Sequence, residues 1–100
     1  MNLPPELHKA LLDTQLITRY EITEDVFYTL ERYVNDKIPT GGFLEAVLSN
    51  DLKEACMRAD DVNQKIIFNI VKYIYNELPA ICWGSPQRVN RWLSNSDEDY

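Results

Sequence analysis

Phe43-Leu44-Glu45-Ala46-Val47-Leu48-Ser49-Asn50-Asp51-Leu52-Lys53-Glu54-Ala55-Cys56-Met57-Arg58-Ala59 is the stretch on which the fold turns. Leu44, Leu48, Leu52 and Cys56 are spaced by four, and Ala55 and Ala59 fill the same stripe. That is the pattern of one apolar face along an α-helix. The spacing predicts a third helix over about Phe43 to Ala59, entered through a Thr40-Gly41-Gly42 turn. Cys56 is expected in its core stripe as a small hydrophobe. Phe43 and Val47 fall to one side, with Asn50, Asp51, Glu54 and Arg58. Asn and Asp are poor helix formers in mid-helix, so their presence there needs another reason. Packing against the second helix explains Phe43 and Val47. An interaction surface of mixed character explains the pair and the polar residues together.

Downstream, Asp60 or Asp61 is placed to cap a fourth helix, about Val62 to Glu77, and Gln64 follows Asp61 as in a capping box. Ile66, Ile67, Ile70, Val71 and Ile74 are its expected buried face. Phe68 and Tyr75 lie on another flank, where the last helix with its Trp92 covers them or they form an exposed patch that predicts self-association or a partner. Asn69 and Asn76 share a face near Tyr73, where they satisfy loop backbone or join a binding surface. Leu78-Pro79 stops the helix. A loop anchored by Trp83 follows, and then Ser85-Pro86 reads as N-cap and N1 of a last short helix, ending near Leu93 with Val89, Trp92 and Leu93 inward.

Upstream, Thr23 is a plausible N-cap. Glu24 and Asp25 fall in the first turn of the second helix, where negative charge complements the helix dipole. Val26, Phe27, Leu30, Tyr33 and Val34 are its apolar positions. It ends near Lys37, because Pro39 disfavours helix at Ile38. Pro4 and Pro5 suit the first turn of an opening helix, about Pro4 to Asp13, with Leu7, Leu11 and Leu12 on one face. Thr14 to Ile22, rich in β-branched and aromatic residues, is expected to be a loop. The fold class that follows is all-α: an irregular bundle of four to five short helices with residues 43–59 and 62–77 as its central antiparallel pair. One hundred residues support one core. The expected organisation is a single helical domain over 1–93 and a flexible acidic tail over 94–100, which holds Asp97, Glu98 and Asp99.

Apolar residues make up 45% of the chain and charged ones 26%, so disorder is not expected outside the ends. The formal net charge is −6. No Lys/Arg cluster is present; Arg88 with Arg91, and Lys65 with Lys72, come nearest. Direct binding of nucleic acid is therefore disfavoured, whereas a basic protein surface that itself holds nucleic acid suits the sign of the charge. Glu21, Glu24 and Asp25 crowd one helix entrance, as a solvated face or as an acidic patch that meets Lys and Arg on a partner. Cys56 and Cys82 form no metal or redox motif. The N-terminus is not a secretory leader and no apolar run would span a membrane, so the cytoplasm is the expected location.

Catalytic constellations are sparse. His8 is the only histidine, so a triad or a His-rich metal site would rest on one residue next to Lys9 near the N-terminus. Asp60-Asp61 with Asn63 looks like a ligand cluster but is explained by helix capping. Gly41-Gly42 before a helix suggests phosphate binding, yet Phe43-Leu44 stands where a P-loop needs Lys and a hydroxyl residue. No enzyme, cofactor or metal is expected.

The string Ile38-Pro39-Thr40-Gly41-Gly42-Phe43-Leu44-Glu45-Ala46-Val47-Leu48, with Asn50-Asp51-Leu52-Lys53-Glu54-Ala55, Arg58-Ala59-Asp60, Tyr75-Asn76-Glu77-Leu78-Pro79 and Cys82-Trp83-Gly84-Ser85-Pro86, resembles a small-protein family common in proteobacterial phages, prophages and other mobile elements. The resemblance covers roughly residues 26 to 93 and leaves Glu21, Glu24 and Asp25 outside. Size, acidity and setting are similar to small anti-CRISPR proteins, including helical ones directed at the type I-F surveillance complex. The resemblance implies an inhibitor that evades host defence by binding a host protein complex and blocking its nucleic-acid recognition. Another reading is a phage accessory or regulatory module that binds protein; a third is a homo-oligomeric sponge for a small ligand. The expected partner-binding residues are Glu21, Glu24, Asp25, Phe43, Val47, Asn50, Asp51, Glu54 and Asn76, in a monomer or small homo-oligomer inside the host bacterial cell.

Overall fold

The computed structural model describes residues 4–94. Every regular element among them is helical: α1 (Pro5–Tyr20), α2 (Glu24–Asp36), α3 (Gly42–Leu48), α4 (Leu52–Arg58), α5 (Asp61–Glu77), a 3-10 turn (Ala80–Cys82) and α6 (Pro86–Ser94). The irregular helical bundle expected from the sequence is thus present, with six α-helices among the described residues rather than four to five. Of the expected acidic tail, Ser94 closes α6, and the rest lies outside the described residues.

The expected 43–59 helix is two helices. α3 ends in a Schellman motif: the Asn50 N–H donates to the Val47 carbonyl and the Asp51 N–H to the Ala46 carbonyl, at 3.0 and 2.9 Å. Asn50 takes the left-handed conformation, φ 65°, which Asn tolerates better than most residues. Asp51 then caps α4, its Oδ1 accepting from the Glu54 N–H at 3.2 Å. The break changes the fate of the leucine stripe. Leu44 and Leu48 are buried, while Leu52 is 68% exposed and Cys56 also faces solvent.

Residues 14–22, expected as a loop, mostly continue α1, because Leu16, Ile17 and Tyr20 pack on the core and their burial outweighs weak local propensity. Leu7, Leu11 and Leu12 stay exposed. The helix ends with Glu21 left-handed at φ 56°, the Ile22 N–H reaching back to the Ile17 carbonyl. A non-glycine residue there carries backbone strain that glycine lacks, so Glu21→Gly is expected to raise stability by about 1 kcal/mol in urea unfolding.

At α5, Asp60 is the cap, accepting from the Asn63 N–H at 2.8 Å. The capping box is not formed, because with Asp60 as the cap Gln64 sits one position too far on; its side chain donates to the Ala59 carbonyl instead. α5 buries Ile70, Tyr73 and Ile74, whereas Ile66 and Ile67 are half-buried and Val71 is exposed. The buried arc is shifted toward Tyr73 because α1 packs on that side, with Tyr20 edge-on to Tyr73 at 5.3 Å between ring centres. Thr23, by contrast, caps α2 as expected, and Ser85 accepts from the Arg88 N–H.

The core joins Phe27, Leu30 and Tyr33 of α2, Leu44 and Leu48 of α3, Ile70 and Ile74 of α5, Cys82 and Val89. The segment between α5 and α6 is tied in by hydrogen bonds. Tyr33 Oη donates to the Cys82 carbonyl at 2.7 Å, the Gly84 N–H to the Leu48 carbonyl at 2.7 Å, and Trp92 Nε1 to the Tyr33 carbonyl at 2.9 Å. Buried polar atoms with such partners avoid the cost of unsatisfied burial. Asp13 is the one buried acid among the described residues: it accepts from Lys9 Nζ at 2.9 Å and Tyr28 Oη at 3.3 Å, while Lys9 also meets Glu31. The hydrogen bonds to Asp13 and Glu31 raise Lys9 above the usual lysine range.

Candidate acidic docking surface

Four of the predicted site residues, Asp25, Phe43, Asp51 and Glu54, line two grooves that share the N-terminus of α3. Gly41, with φ 100°, turns the chain into α3 in a conformation suited to glycine. On one side of this turn a groove of about 210 Å³ runs between Asp25 and Phe43. On the other a groove of about 300 Å³ is lined by Glu45, Asp51, Glu54 and Arg58. Gly42 borders both. The surface around it therefore carries carboxylates from α2, α3 and α4. Its cation is Arg58, which donates to Glu54 Oε2 at 2.6 Å. The guanidinium lies so close to Gly42 that a Cβ there would stand 2.7 Å from Nη1.

The break at Asn50-Asp51 positions these groups, because it sets α4 as a separate helix bearing Glu54. Asn50 and Asp51 thus have a structural reason for standing where they do, and Asp51 remains exposed at the groove. Phe43 and Val47 are half-buried against the core, with Phe43 in the groove beside α2, whereas Val47 and Asn50 line a separate, mainly apolar groove on the α4–α5 side. Glu24 is exposed beside Asp25. Glu21 and Asn76 belong elsewhere: they line a polar groove of about 400 Å³ with Arg19 and Lys72. There the Glu21 carbonyl accepts from Asn69 Nδ2 at 3.2 Å. Glu45, absent from the sequence-predicted site, belongs to the surface.

Other chemistry is thinly supported. Asp25 lines the same groove as Gly41 and Gly42, and its sign opposes a phosphate there. His8 is exposed on α1. Among the described residues no group of three or more His, Cys, Asp or Glu is arranged to hold a metal ion, and no helix is long and apolar enough to cross a membrane.

The two thiols differ sharply. Burial pushes Cys82 up to about 11, and its Sγ donates to the Pro79 carbonyl. Cys56 is exposed, contrary to its expected place in the core, because Ala55 of α4 and Ala59, its C-cap, turn inward instead. Thiol titration of the folded protein at pH 8 is expected to show one fast group and, after denaturation, two; the thiolate is the reacting form, and Cys82 holds little of it. Two fast thiols in the folded state would contradict this packing.

Comparison with family models, with curated proteins and with solved structures finds no match to this chain.

Proposed function

We propose that the chain is a non-enzymatic inhibitor that acts by covering a basic surface of a host defence complex, the type I-F CRISPR surveillance complex, and so blocks its nucleic-acid recognition. The observation that supports a docking role is that two grooves sharing Gly42 carry carboxylates, Glu45, Asp51 and Glu54 in one and Asp25 in the other. Carboxylates held on three short helices form a surface whose spacing is preset by the fold. Such a surface meets Lys and Arg without a large ordering cost and speeds encounter by electrostatic attraction. The resemblance to mobile-element proteins supports the choice of target.

The reading is tested by mixing the purified chain with the type I-F effector complex and passing the mixture over a sizing column. Co-elution at fixed stoichiometry, with reduced DNA binding by the complex, is the expected result. Separate elution, together with unchanged phage plating in CRISPR-active cells that express the chain, would remove this target.

A further inference from the structure

A second surface, on the outer side of α5, is apolar where the first is acidic. Phe68 is 72% exposed, Tyr75 70%, and Val71 45%. Spaced three and four apart, they share one face of the helix. Tyr75 lies against Trp83 at 5.8 Å between ring centres, and Trp92 hydrogen-bonds back to Tyr33, so α6 leaves this face uncovered. On the α4 side, Val47, Leu52, Ala55, Ile67 and Val71 line a mainly apolar groove of about 250 Å³ that Asn50 and Asp51 also border, Asp51 being shared with the acidic groove. On the other side Lys72 Nζ sits 5.9 Å from the Phe68 ring centre. Along the face, then, an aromatic knob with a cation beside it stands on one flank, and an apolar groove with a carboxylate at its rim lies on the other.

We propose that two copies of the chain pair through this face, about a two-fold axis running along α5. Such an axis lays each flank over the opposite flank of the second copy at the same level of the helix. Phe68 of each copy then enters the other's groove beside Leu52, Ile67 and Val71, and Lys72 comes over Asp51. The groove is large enough, since a cavity of about 150 Å³ holds a benzene ring. An axis across α5 would instead set Phe68 and Lys72 against their own flank, like charge to like. Area agrees with pairing. With aromatic side chains burying roughly 150–250 Å² each, the exposed parts of Phe68, Tyr75, Leu52, Val71 and Ile67 offer about 500 Å² per copy. The pair then covers about 1,000 Å², the size at which specific interfaces begin.

Sedimentation equilibrium of the full chain tests the pairing without the partner proposed above, so each can fail alone. The wild type is expected to dimerise with a Kd of roughly micromolar order. Phe68→Glu is expected to weaken this by at least about tenfold, with an unchanged circular dichroism spectrum because Phe68 is exposed. In a Cys56→Ser background, Phe68→Cys chains mixed with Leu52→Cys chains are expected to form a disulfide-linked dimer, and neither alone. A wild type that stays monomeric, a dimer indifferent to Phe68→Glu, or cross-linking of Phe68→Cys with itself would each overturn the proposal.

Discussion

Phe27→Ala is expected to cost about 3–5 kcal/mol of folding stability, the range for removing a buried aromatic ring from a packed core. Phe27 is 1% exposed. Its ring stands edge-on to Tyr28 at 5.0 Å and tilted on Tyr73 at 5.7 Å, and Tyr73 in turn meets Tyr20. This run of rings links α2 to α5 and α5 to α1. Truncation loses the ring contacts with Tyr28 and Tyr73 and leaves a void in the packed core. Domains of this size have about 5–15 kcal/mol in all, so the variant should be near the limit of folding. Urea unfolding checks it through a lower midpoint at an unchanged slope. A loss below about 1 kcal/mol would show that the aromatic run does not organise the core.

The second large effect concerns function. Asp25→Lys, Glu45→Lys and Glu54→Lys together are expected to weaken binding to a basic partner by about a hundredfold or more, since like charges set across an interface cost several kcal/mol. Asp51 is left in place because it caps α4. The stability cost is modest by comparison. The Glu54–Arg58 pair is an exposed i,i+4 contact, worth about 0.3–0.5 kcal/mol. Asp25 and Glu45 each lie in a first helical turn, where a cation costs about 0.3–1 kcal/mol. The triple variant should therefore fold and yet fail to bind. Binding of the wild type should also fall as salt is raised, because exposed charges are screened. Titration calorimetry at two salt concentrations reads both effects.

The sequence made the helix ends legible wherever local chemistry decides them. Thr23, Asp60 and Ser85 cap as their residue types lead one to expect, and Pro39 limits α2. The break inside residues 43–59 was hidden by the leucine spacing, which runs in phase across it. The clue was present in Asn50 and Asp51, whose poor fit to a helix interior follows from a left-handed turn and a new cap. On an unbroken helix Glu45 falls within the arc between Leu44 and Cys56; the break leaves it exposed beside Glu54. That is why the acidic surface was only partly readable. The second half of α1 was missed for a different reason. Thr14, Ile17, Thr18 and Tyr20 carry weak helix propensity, and the segment is held by the tertiary packing of Leu16, Ile17 and Tyr20, while Thr14 Oγ1 bonds back to the Ala10 carbonyl at 2.9 Å. The burial of Asp13 depends on Tyr28, on another helix, and no local pattern announces it.

Affinity capture from host cells, with the wild type and the triple lysine variant side by side, tests the docking account most directly. The account predicts one basic host assembly held by the wild type at low salt, at fixed stoichiometry, and absent from the variant. An assembly held equally by both chains would contradict it.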